Sequence, residues 1–188
     1  SIFLRKQPQF QYEDSNNVAF INWAMNKDDD AVSLLGSNWS GLVPVVVRGD
    51  GNCLFNAISV AISGHEEYAT ELRLRSAIEL IQNKKYYINQ HKETSLELCC
   101  ESIDNSISNC TMNYSFSSAW SMHAACSVIR KPVKSVYPVV NGPLDNCIVI
   151  LNRTFQPRLK SSRQPVTIMW SGPTVSYTHL TLPTICSV

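Results

Sequence analysis

The sequence predicts a mixed α/β domain, α+β in arrangement, with a small central β-sheet flanked by helices. Three observations carry that expectation. Short apolar or β-branched runs at 43–47, 133–137, 147–151 and 166–170 have the length and boundaries of buried strands. Longer stretches at 53–62, 74–81, 96–107 and 118–131 carry apolar residues at helical spacing. A glycine turn, Arg48-Gly49-Asp50-Gly51-Asn52, joins the first strand to the first helix, and that helix opens on a cysteine, Cys53. At 188 residues the chain is long enough for one domain with a real core.

Taken in order, residues 1–40 read as a partly ordered N-terminal extension. Trp23, Leu34, Leu35 and Trp39 are candidates to clamp it to the core, and Asp28-Asp29-Asp30 reads as a solvated helix start. The domain proper is expected over 41–173. Val43, Val45, Val46 and Val47 form its first buried strand, and Leu54, Phe55, Ile58, Ala61 and Ile62 mark the first helix, which Asn52 is placed to cap. Leu74, Ala77, Ile78 and Ile81 form a core-facing stripe on a second helix, with Arg73 and Arg75 as solvent-exposed flanks. Thr94-Ser95-Leu96-Glu97 is a capping box, and the helix it opens turns Cys99, Cys100, Ile103 and Ile107 to one face. From 118 to 131 Trp120, Ala124 and Val128 recur every fourth residue, and Pro132 ends that helix before a strand over 133–137. Strands are expected at 147–151 and 166–170, separated by a basic, solvated loop from Arg153 to Arg163.

Chemistry concentrates at Cys53. A thiol in the first turn of a helix faces unpaired N–H groups and the positive end of the helix dipole. That setting lowers a thiol pKa and favours the nucleophilic thiolate. The same N–H groups can hold an oxyanion. Gly49 and Gly51 allow the tight turn, and Asp50 is placed to order it through Asx-type hydrogen bonds.

Asp50-Gly51-Asn52-Cys53-Leu54-Phe55, followed by Asn56-Ala57-Ile58-Ser59, resembles the nucleophile motif of the ovarian-tumour (OTU) cysteine proteases. The resemblance covers roughly residues 40–173. It implies a papain-like OTU fold and a deubiquitinase that cleaves ubiquitin isopeptide bonds, with ubiquitin or polyubiquitin as partner and no cofactor. Carried over, Cys53 is the nucleophile, Asp50 the loop aspartate, and the backbone around Gly51 and Asn52 the oxyanion loop. The Glu-Leu-Arg start of the helix after the nucleophile helix, Glu71-Leu72-Arg73, also resembles the family, and the resemblance implies a hold on the catalytic helix. The alanine-rich helix leading through Pro132 into a strand resembles the same family, although Trp120 is followed by Ser121-Met122 where the family often has Gly-Gly. Ser118-Ala119-Trp120, Val136-Tyr137-Pro138 and Ile168-Met169-Trp170 are also similar to vertnin-related metazoan OTU-like proteins. That likeness implies a catalytically inactive binding module in a transcriptional or mobile-element setting.

A thiol protease needs a base beside the thiol and a group to orient it. His65 follows the Cys53 helix, His91 sits in a polar connector, and His123 reads as a partly packed helix residue. In the OTU family the histidine comes after the final strands, so chain order leaves His179, with Asp50 the candidate third member. His179 lies in residues 174–188, which resemble a translated sequencing adapter; the expectation is an artefactual tail on a truncated domain. The chain begins at Ser1 rather than Met, as a fragment does.

Composition narrows the alternatives. The net charge is +1 and the 16 basic residues are scattered, which argues against nucleic acid as this domain's partner. No run of 18 or more apolar residues occurs, so no membrane span is expected. Seven cysteines, odd in number and irregular in spacing, read as reduced thiols in a cytoplasmic or nuclear protein. No histidine pairs with them at zinc spacing, and no metal is expected.

Overall fold

Val45 and Val46 start a mixed sheet whose strands are short and non-sequential in order. In the computed structural model, residues 10–11, 27–34, 44–91, 100–137, 150–170 and 185–187 are described. The strands are β1 (Val45–Val46), β2 (Val133–Val136), β3 (Thr154–Phe155), β4 (Val166–Trp170) and β5 (Ile185–Ser187). Their order across the sheet is β1-β5-β4-β2-β3, with β2 and β4 parallel and the other neighbours antiparallel. Val133 pairs with Val166 and Val136 with Met169, so two apolar strands lie side by side, as a buried parallel pair requires.

Among the described residues the helices are α1 (Asp29–Leu34), α2 (Cys53–Ser63), α3 (Ala69–Gln82), α4 (Lys84–His91), α5 (Ile103–Thr111) and α6 (Ala119–Ile129). Helix α2 packs on β4 and β5, and α3 packs on α2, α5 and α6. Leu54, Phe55, Ile58 and Ile62 of α2 join Leu72, Leu80, Trp120, Ile168 and Trp170 in one buried core. Among the described residues no helix is long and apolar enough to cross a membrane.

The expected α/β architecture holds, with several boundaries moved. Ser118 caps α6 through a reciprocal box with Ser121, and Arg130 in the left-handed region ends that helix ahead of Pro132. In the N-terminal extension Asp28 accepts from Ala31 N at 2.9 Å and so starts α1, as the acid run suggested. The clamp of Trp23, Leu35 and Trp39 lies outside the described residues; within the extension Phe10 packs edge-on to Tyr68 at 5.6 Å, and Ala31 is buried with Val136 and Met169.

Other expectations are corrected. Helix α5 does not run on from 96: Cys100 to Ser102 are not helical, and Ser102 caps the helix at Ile103. The Thr94–Glu97 box lies outside the described residues. Ile150 and Leu151 are helical instead of extended, and the strand falls within the expected basic loop, at Thr154–Phe155. The α3 stripe is rotated: Leu74 and Ile81 are exposed, while Leu72, Arg73, Ser76, Ala77 and Leu80 are buried.

Candidate active site

Cys53 is the first residue of α2, and Gly51 makes the turn that puts it there. Gly51 has φ of +83°, a region that L side chains resist. A Cβ at this position would lie 2.1 Å from the Tyr114 carbonyl oxygen, so the backbone of the 112–116 segment also excludes any side chain. Asp50 orders the turn as expected. Its Oδ1 accepts from Asn52 N at 3.0 Å and from Asn56 Nδ2 at 3.2 Å, and Asn56 Nδ2 also reaches the Arg48 carbonyl at 3.1 Å. At the outer end, Glu66 accepts from both Arg48 N and Arg48 Nε.

Asn52 does not cap α2 with its side chain. It turns the other way, donating to Asn113 Oδ1 at 2.9 Å and accepting from Tyr114 N at 3.3 Å. The amide thus ties the turn to the segment beside Gly51. Tyr114 itself has φ of +60° and is 64% exposed. A left-handed tyrosine costs roughly 1–2 kcal/mol, which the contacts on either side of it must offset.

The Cys53 thiol is 4% exposed. Burial is the largest influence on it and pushes its pKa up; Asp50 adds to that rise. The N–H groups of Leu54 and Cys53, together with the Arg73 charge, pull it down. The lowering expected at a helix start is therefore present and is outweighed by desolvation. Because Asn52 N–H is taken by Asp50, the Cys53 and Leu54 N–H groups are the donors left at the sulfur.

Arg73 is the residue that sequence reasoning misplaced. It is 2% exposed, beneath the turn. Nη2 donates to the Gly51 carbonyl at 2.8 Å and to the Ser115 carbonyl, and Nη1 donates to the carbonyls of Asn109 at 2.6 Å and Met112 at 2.8 Å. Its guanidinium also lies 5.0 Å from the centre of the Phe55 ring. The Glu-Leu-Arg resemblance at Glu71-Leu72-Arg73 pointed to this helix start, and Ala69, Ser76 and Ala77 are small residues on the α3 face that Arg73 shares, leaving room for a large side chain.

The other site candidates are dispersed. His179 lies outside the described residues, as does the His91 side chain. His65 sits in the α2–α3 turn against Tyr68, at 5.1 Å between rings. His123 is buried on α6, with Nε2 3.2 Å from Arg153 Nη2 and its ring 4.8 Å from that of Phe155. Among the described residues no imidazole is a hydrogen-bond neighbour of Cys53. No group of His, Cys, Asp and Glu among them is arranged to hold a metal.

A strand, a positive-φ glycine turn and a thiol-bearing helix, set on a small mixed sheet under helices, define an OTU-type domain. A family model described as "Vertnin, OTU domain" matches residues 44–99 and 89–171, and the chain belongs to that family. Vertnin of Danio rerio is 29% identical over 158 residues, 71% of this chain and 23% of that protein. Vertnin of Homo sapiens is 26% identical over 155 residues, 70% of this chain and 22% of that protein. The chain thus spans under a quarter of the length of these relatives. Among solved structures, the OTU domain of OTUD1 aligns at a TM-score of 0.41 and 17% identity, covering 68% of this chain and 77% of that one. The viral OTU domain protease from Dera Ghazi Khan virus aligns at 0.46 and 13% identity, covering 77% and 78%.

Proposed function

We propose that this chain is the OTU-type cysteine protease domain of a deubiquitinase, with Cys53 as nucleophile. One observation carries the reading: the Cys53 sulfur sits at the start of α2 on a turn fixed by Gly51, with the Cys53 and Leu54 N–H groups beside it. In this reading a histidine takes the thiol proton as sulfur attacks the carbonyl of a ubiquitin isopeptide bond. A C–S bond forms and the carbonyl oxygen becomes an oxyanion, held by N–H groups of the turn. The C–N bond then breaks, the lysine amine leaves with the proton from the histidine, and water hydrolyses the thioester to release ubiquitin. Chain order assigns the base to His179, in the segment resembling an adapter. A genomic read through the codons after Trp170 decides between His179 and a native histidine in that place.

The test is incubation of the protein with ubiquitin carrying a C-terminal propargylamide, followed by intact-mass measurement. The expected result is an adduct of one ubiquitin, lost in Cys53→Ala. A folded protein that forms no adduct contradicts the reading.

A second reading, a non-catalytic binding module of the vertnin type, is favoured by a different observation: burial raises the Cys53 thiol away from its reactive form. It predicts no adduct.

A further inference from the structure

Beneath the Cys53 turn lies a cation that forms no ion pair with a carboxylate among the described residues, although Asp50 acts on it through space. The Nη hydrogens of Arg73 are directed at four backbone carbonyls, those of Gly51, Asn109, Met112 and Ser115. Its Nε–H is buried without an acceptor, and among the described residues no acid forms an ion pair with it. A buried cation is costly unless paired, and an apolar group of similar volume often serves stability as well or better. Here the cation is kept and solvated by carbonyl dipoles drawn from two segments that are distant in sequence. Of those dipoles, that of Gly51 belongs to the turn carrying the thiol. A lysine gathers its three donors on one compact nitrogen and cannot match the spread of four carbonyls that the planar guanidinium fork reaches.

We propose that Arg73 is a positioning residue for Cys53: it clamps the Gly51 carbonyl to the 109–115 segment and sets a fixed positive charge behind the sulfur. This deepens the reading of Cys53 as nucleophile and rests on it. The clamp holds the turn in its positive-φ form, and the charge stabilises negative charge arising on the thiol or the oxyanion. The groups facing this pair are few. Asp50, from the turn itself, opposes thiolate formation, and Cys110 on α5 faces Arg73 from the other side, with Glu101 acting on Cys110. The direction of the Arg73 influence on Cys53 agrees with the geometry: it lowers the thiol pKa.

The experiment follows Cys53 alkylation by iodoacetamide against pH in the folded protein, read by peptide mass spectrometry so that each cysteine is seen separately. Wild type is compared with Arg73→Lys and Arg73→Gln, and thermal unfolding is recorded in parallel. Arg73→Lys keeps the charge and loses the bridge, so Cys53 alkylation at pH 8 slows several-fold, while buried Cys126 stays protected. Arg73→Gln loses both, so the rate falls by about tenfold and the alkylation midpoint moves up by about one pH unit. Either variant, folded, with the wild-type Cys53 rate and midpoint would overturn the proposal and reduce Arg73 to a structural brace. Where Arg73→Gln does not fold, the Arg73→Lys rate alone decides in the same way. Because iodoacetamide needs no ubiquitin, a failed ubiquitin adduct with intact alkylation effects overturns the enzymatic reading and leaves the clamp standing.

Discussion

Arg73 and Arg158 occupy comparable places, each tying a loop to α3 or its neighbours, yet their charges are handled in opposite ways. Arg158 donates from Nε to Glu79 at 2.8 Å, and Glu79 also accepts from the Tyr87 hydroxyl at 2.9 Å. Ser127 closes the set: it donates to the His123 carbonyl, accepts from Arg158 N and lies 2.9 Å from the Tyr87 hydroxyl. Here the cation meets its acid, partly in solvent, and the network fastens the 153–163 loop to α3 and α6. Arg73 donates only to carbonyls, buried beneath the turn that carries Cys53. The scaffold pairs its cation with an acid; the site sets its cation among carbonyls, where no carboxylate in contact with it offsets its pull on the neighbouring sulfur.

The largest break of this contrast is Gly51→Val. Its side chain would run into the Tyr114 backbone and would have to adopt a positive φ, so the turn cannot form as it stands. The expected loss is about 3 kcal/mol or more, read from the urea midpoint, together with loss of the ubiquitin adduct at Cys53. Glu79→Ala tests the other region. It removes the carboxylate that accepts from Arg158, leaves the Tyr87 hydroxyl only Ser127 Oγ, and should cost about 1.5–3 kcal/mol, with Cys53 labelling of the folded protein unchanged.

Thiol burial gives the next effect. Cys126 is pushed up to about 12, and Cys53 and Cys110 are raised as well, in each case first by desolvation. A raised acid pKa means the folded state holds its proton longer than the unfolded chain does. Its stabilising contribution is therefore full below about pH 8.5 and fades as pH rises towards the folded-state value. Cys126 should add a slope of up to about 1.4 kcal/mol per pH unit in that window, and Cys126→Ala should flatten the fall in unfolding free energy between about pH 9 and 11. Smaller again, Ser102→Ala removes the cap that accepts from Asn105 N and should cost about 1 kcal/mol in the denaturant midpoint.

How much of this is legible in the sequence depends on whether the determinant is local. The Cys53 turn is, because Gly51, Asp50 and the helix that follows are contiguous and each has one conformational use. So are α6 with Pro132 behind it, and the paired strands at 133–136 and 166–170. Arg73 is not: α3 carries aliphatic residues on both faces, so Leu74 and Ile81 suggest a stripe as readily as Leu72 and Leu80 do, and only packing against α2, α5 and α6 chooses between them. The β3 strand is hidden for a related reason. Thr154 and Phe155 lie in a polar stretch, and their pairing with Lys134 and Val133 is a long-range event. The Asn52 side chain reads locally as a cap and instead bonds across 61 and 62 residues to Asn113 and Tyr114.

The central claim is that Cys53 is a nucleophile whose proton must be lost against the cost of burial. Hydrolysis of a fluorogenic ubiquitin C-terminal amide tests it most directly, followed from pH 6 to 10 in wild type and Cys53→Ala. The account predicts turnover only in wild type, with a rate that climbs on the alkaline side as the thiolate forms. Equal rates in the two proteins, or no turnover in wild type, would contradict it.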